Sequence, residues 1–93
     1  MNTMTDDIYL EMTYHHGRAI AGYLYLPRQE GDKVARSREV SPSLVVDYAA
    51  DGRAIGIEII SPSLVSVDDL NRLLAELHHE TLSDKELAPL LAS

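Results

Sequence analysis

Asp51-Gly52 lies between two alternating apolar runs. This one stretch, residues 43–60 (SLVVDYAADGRAIGIEII), most restricts what the chain can become. Asp-Gly favours a tight hairpin turn, because a type I′ turn needs positive φ at both central residues. With a two-residue loop Ala50 faces Arg53, Tyr48 faces Ile55, Val46 faces Ile57 and Leu44 faces Ile59, and the large side chains share one face. One residue more would set Asp47 against Ile55 and Leu44 against Glu58, and a one-residue slip turns every side chain over. An even loop is therefore expected, either Asp51-Gly52 or the four residues 49–52.

The second face of this hairpin carries Val45, Asp47, Ala54, Gly56 and Glu58. It is small and polar, as where an antiparallel sheet meets solvent or a light cover. Asp47 and Glu58 are diagonal neighbours there and form the candidate polar site, for a small ligand or for acid–base chemistry. Two solvated strand carboxylates are the plainer account. Gly56 in mid-strand is expected to mark a close approach of backbone or helix.

Residues 8–14 alternate, with Ile8, Leu10, Met12 and Tyr14 on one face, and residues 19–26 (AIAGYLYL) form a second strand. A three-residue turn, His15-His16-Gly17, pairs Met12 with Ile20 and Ile8 with Leu24, and sets Tyr9 opposite Tyr23 with Tyr25 beside them. Those three tyrosines share a face that the core does not need. They are the candidate interface, since an amphipathic ring gives contact area at low entropic cost; packing within the chain is the alternative. Residues 27–32 read as a loop. Residues 33–40 (KVARSREV) alternate weakly and carry enough charge for an edge strand. Ser41-Pro42 ends that strand.

Ser61-Pro62-Ser63 stops the sheet. Ser66 and Asp69 have the spacing of a capping box, and Val67, Leu70, Leu73, Leu74 and Leu77 make one helical stripe ending near Glu80. Ser83 and Glu86 form a second box ahead of a short helix from Lys85 to about Leu91, where Pro89 limits regularity. Its leucines either dock on the core or reach a partner.

The chain has 93 residues, 45% of them hydrophobic, and no cysteine. These values suit one globular domain, residues 1–93, with the sheet over about 8–60 and the helical segment over about 66–92. Thiolate chemistry and disulfides are excluded. The amino terminus lacks the basic and apolar regions of a signal peptide, so a cytoplasmic location is expected. The net charge of −7 is uneven, −2 over residues 1–57 and −5 over residues 58–93. Such a surface repels phosphate backbones, which makes nucleic acid an unfavourable partner and a basic protein a suitable one.

No motif for catalysis rises above background, and the reading favours a non-enzymatic protein without cofactor. The serines around the prolines suit turns, and the glycines form no phosphate loop. The doublets His15-His16 and His78-His79 point their members apart. Glu76 and His79 share a helix face, half of a di-metal motif without the further glutamates it needs, so no metal is expected.

Several pieces together resemble an uncharacterised bacterial family, domain of unknown function 2283. They are Tyr14, Tyr23-Leu24-Tyr25-Leu26, Lys33-Val34-Ala35-Arg36, Glu39-Val40, Val45-Val46-Asp47, Asp51-Gly52-Arg53 and Gly56-Ile57-Glu58-Ile59, with the helix from Ser66, over roughly residues 8–77. His15 and Gly22 stand where the family often has acids. The resemblance implies a compact antiparallel sheet with a carboxyl-terminal helix. It also implies an antitoxin-like partner-binding role, because some members look like neighbours of small toxin-like proteins. The expected fold is thus α+β: an antiparallel sheet of four to five strands in meander order, one helix packed on one face and a second short helix. The expected function is a small interaction module, homodimeric through Tyr9, Tyr23 and Tyr25 and suited to a basic protein partner. A ligand binder or enzyme using Asp47 and Glu58 is the alternative.

Overall fold

The computed structural model describes residues 8–91. The acidic amino-terminal segment, residues 1–7, lies outside the described residues, as do residues 92–93 and the side chain of Leu91. Five antiparallel strands, β1 (Tyr9–His15), β2 (Arg18–Tyr25), β3 (Arg36–Ser41), β4 (Leu44–Tyr48) and β5 (Ala54–Ile59), form one sheet in the order β1-β2-β5-β4-β3. A 3₁₀ turn (Pro62–Leu64), helix α1 (Val67–Glu76) and the one-turn helix α2 (Ala88–Leu91) follow. The α+β class holds. The order is a meander except at one step, where residues 26–35 carry the chain from β2 across the end of the sheet to its far edge. The charged strand β3 thereby reaches the rim, and β5 takes the centre.

The crossing segment is tacked down along its length. Leu26 N donates to Ile55 O (3.2 Å) and Ala35 N to Tyr48 O (2.8 Å). Between them Arg53 grips Asp32 with two hydrogen bonds of 2.7 and 3.0 Å, while its Nε donates to Asp51 (2.6 Å). Both carboxyls are held below the usual range, in each case mainly by the Arg53 hydrogen bonds.

In the β4–β5 hairpin Leu44 faces Ile59, Val46 faces Ile57 and Asp47 faces Gly56, as the apolar pattern requires. The loop itself differs from both expectations. Ala49 N donates to Arg53 O, and Gly52 N to Ala49 O. Three residues, Ala50, Asp51 and Gly52, make the turn, and of them only Gly52 has positive φ. The odd loop is tolerated because Ile55 forms a β-bulge, so Tyr48 faces Ala54 and parity is restored beyond it.

The first hairpin shows the converse. His15 pairs with Arg18, leaving a two-residue turn, His16-Gly17, with φ of 50° and 74°. The expected three-residue turn is thus corrected, and with it the register: Tyr9 faces Tyr25, not Tyr23. The shift is by two residues, so each side chain keeps its face. An extra residue on β2, Ile20, absorbs the remaining mismatch.

One face of the sheet supplies Leu24, Leu26, Leu44, Val46, Tyr48, Ile57 and Ile59 to a cluster completed by Val65, Leu70, Leu73, Leu74, Leu87 and Leu90. Leu87 and Leu90 therefore dock on the core within the chain. Ser66 caps α1, its Oγ accepting from Asp69 N while Asp69 returns a carboxylate to Ser66 N. The helix ends at Glu76, short of Glu80. His78 takes φ of 64°, and the bonds His79 N→Leu74 O and His78 N→Ala75 O close a Schellman motif. His79 is thus past the helix, which breaks the expected pairing of Glu76 and His79 on one helical face. The Ser83–Glu86 box forms on a turn, and α2 itself begins only at Ala88. Asn71 fastens this tail: its Nδ2 donates to Leu82 O (2.9 Å) and its Oδ1 accepts from Leu82 N (2.7 Å). No helix among the described residues is long and apolar enough to cross a membrane.

Candidate functional site

The helices cover one face of the sheet. On the other, alternation and register place Tyr9, Tyr25, Gly56, Asp47 and Ser37 in one row, crossing β1, β2, β5, β4 and β3 in turn. The neighbouring row is Glu11, Tyr23, Glu58, Val45 and Glu39. Gly56 leaves a gap in the first row, and the Tyr23 side chain leans diagonally into it. A Cβ at Gly56 would fall on the Tyr23 ring. The close approach expected at Gly56 is therefore that of a side chain.

Tyr23, so placed, donates its hydroxyl to Asp47 Oδ2 (2.9 Å), and Ser37 Oγ donates to Asp47 Oδ1 (2.6 Å). Both oxygens of this buried carboxylate thus have a donor, as a buried charge requires. On the other side Tyr25 meets Tyr23 edge-on, with centroids 4.7 Å apart, and stacks on Tyr9 at 4.5 Å. Tyr25 Oη donates to Glu11 (3.3 Å), and the Arg28 guanidinium lies over the Tyr25 ring at 5.2 Å while bonding Ile55 O. The result is a continuous strip across all five strands, in which a stacked pair of phenols and a third packed edge-on lead to a held carboxylate.

The electrostatics follow from this packing. Burial pushes the Tyr23 phenol up to about 12, helped by the hydrogen bond to Asp47 and its charge, with Arg28 pulling the other way. Burial and Glu11 raise Tyr25 in the same direction. Tyr9, at the end of the strip, is 53% exposed.

The tyrosines that the sequence grouped are thus brought together, in a different register. Asp47 and Glu58 share the face, but Asp47 takes Tyr23 and Ser37 as partners and Glu58 is exposed. Ser37, which completes the site, gave no signal beyond its place in the weakly alternating residues 33–40. A groove of about 490 Å³ opens elsewhere, between the Pro42 turn and α1, lined by Val40, Leu64, Leu73 and Arg72 among others; neither Asp47 nor Glu58 lines it. The histidine doublets serve turns: His16 and His78 occupy left-handed positions. The His15 and His16 rings touch edge-on at 4.1 Å, because His16 has left the strand geometry that would part them. Among the described residues no group of three or more His, Asp or Glu is placed to hold a metal.

The strip's residues Tyr23, Tyr25, Ser37, Asp47 and Gly56 all fall in one contiguous stretch. Residues 21–63 match the family model of DUF2283, a protein of unknown function. The DUF2283 match covers most of β2 and all of β3, β4 and β5, and leaves out β1, Tyr14 and α1. It is therefore narrower than the span of resemblance read from the sequence. No curated protein and no solved structure matches the chain.

Proposed function

We propose that this protein is a small, non-enzymatic interaction module that binds a basic protein partner on the open face of its sheet. The observation that carries this reading is the tyrosine strip flanked by the exposed Glu11, Glu39 and Glu58, on the face opposite the helices. Stacked phenols offer rigid, amphipathic area and a face for guanidinium groups, and the carboxylates supply the complementary charge. Arg28, already seated over Tyr25, is an internal example of the contact a partner's arginine would make at Tyr9. A net charge of −7 steers such a partner towards the module. In cellular terms the role is antitoxin-like, the covering of a basic partner.

The test is nuclear magnetic resonance with an arginine decapeptide as the probe, at low and at moderate salt. Shifts centred on Tyr9, Glu11, Tyr25 and Glu58, weakened by salt and by Tyr9→Ser, are expected. Shifts confined to the acidic residues of α1, or insensitivity to Tyr9→Ser, would refute the reading. Tyr9 is preferred to Tyr23 for substitution because Tyr23 also fills the gap over Gly56 and bonds Asp47.

A further inference from the structure

The two edges of the sheet are unlike. β3 is blunted: Val40 forms a bulge in it, Arg36, Arg38 and Glu39 line it, and Arg36 and Arg38 fold onto Tyr48, with Arg38 bonding the Tyr48 hydroxyl at 3.0 and 3.1 Å. Such features discourage edge-to-edge pairing. β1 has none of them. Its seven residues, YLEMTYH, run without a bulge, since the extra residue of the first hairpin is Ile20 on β2. It contains no Lys, Arg or Pro, and Glu11 is its one carboxylate. Leu10 and Met12 turn towards the core side yet stay only half-buried, because among the described residues β1 has a strand neighbour on one side alone.

We propose that β1 is a self-association edge, pairing antiparallel with β1 of a second copy about Met12. The strand is self-complementary in this arrangement. Centring on Met12 is the one arrangement that pairs the whole strand, Tyr9 through His15. It sets Leu10 against Tyr14 of the second copy, Glu11 against Thr13, and Tyr9 against His15, and each pair lies on a common face. Aliphatic with aromatic, acid with hydroxyl and ring with ring are all favourable cross-strand pairs. Centring one residue earlier would oppose Glu11 to its own copy. Tyr9 and Tyr14, 53% and 55% exposed, both gain cover. The product is a ten-stranded sheet with both tyrosine strips on one side. This inference stands on the edge, not on the face, and does not depend on the partner proposed above.

The experiment is the solution mass of the full chain by light scattering over a concentration series, with circular dichroism to verify folding. The unsubstituted protein is expected to dimerise. Thr13→Glu places like charges opposite each other twice per dimer and weakens association roughly twofold to thirtyfold. Thr13→Lys, opposite Glu11, tightens it by a similar factor. Adding Glu11→Lys to Thr13→Glu restores the dimer, which contact between open faces would not do. A monomer at every concentration, or Thr13→Glu and Thr13→Lys acting alike, overturns the proposal.

Discussion

Gly56→Ala tests the strip at its narrowest point. The backbone tolerates alanine, since the φ of Gly56 is not positive, and a more restricted unfolded chain returns about 0.5–1 kcal/mol. The new methyl, however, occupies the space of the Tyr23 ring. Tyr23 must leave, and its 2.9 Å bond to Asp47 goes with it. A hydrogen bond to a carboxylate contributes about 1.5–3 kcal/mol, so the net loss is roughly 0.5–2.5 kcal/mol. Urea denaturation of the variant, and of Tyr23→Phe alone and combined with it, measures the effect. Tyr23→Phe should cost about 1.5–3 kcal/mol in the original background and almost nothing after Gly56→Ala, because the bond it removes is already gone. Equal costs in both backgrounds, or a Gly56→Ala variant as stable as the original, would refute the reasoning.

Alkaline titration gives a second check. The Tyr23 phenol sits higher in the folded chain, at about 12, than in the unfolded chain, at about 10. Its contribution is complete below pH 10 and is lost as pH rises through 12. Discounted for partial exposure it is about 1–2 kcal/mol, read from stability against pH and from phenolate absorbance. Asn71→Ala removes both bonds to Leu82 and should cost about 1–3 kcal/mol, with faster amide exchange over residues 82–91. His78→Gly relieves a left-handed position at the end of α1 and should raise stability by about 0.5–1 kcal/mol, seen as a higher midpoint in thermal unfolding.

Much of the fold was legible because side-chain periodicity survives errors in turn length. The hairpin of Val46 and Ile57 kept its pairing even though its loop has three residues, since the bulge at Ile55 corrects the parity. Tyr9 and Tyr25 reached one face although the register moved by two, an even shift. The turns themselves were less legible. Asp51-Gly52, the stronger type I′ signal, adopts the three-residue form, while His16-Gly17 takes the two-residue turn with a histidine in the left-handed region. Local preferences of this size are overridden when a bulge elsewhere in the strand improves the packing of the core. The end of α1 was missed for a different reason: His78 takes the left-handed position there and carries no glycine-like signal. Of the site, Asp47 and the tyrosines were visible as residues, but their bond was not. It runs diagonally across a strand, and only Gly56 hinted at the space that permits it.

The crossing segment has a consequence for how the molecule assembles. Short turns close β1 onto β2, β3 onto β4 and β4 onto β5. β2 and β5 alone must find each other from a distance, pairing Gly22–Tyr25 with Gly56–Ile59. The sheet is therefore two locally formed pieces, a hairpin and a three-stranded unit, joined along one seam. Closing that seam orders residues 26–35, so it carries the loop-closure cost of the fold and belongs late in the folding reaction. The Tyr23–Asp47 bond spans it, with Tyr23 on one piece and Asp47 on the other. The strip that faces outward is thus also the clasp between the two pieces, and loosening it would let the hairpin detach as a unit before the three-stranded part unfolds.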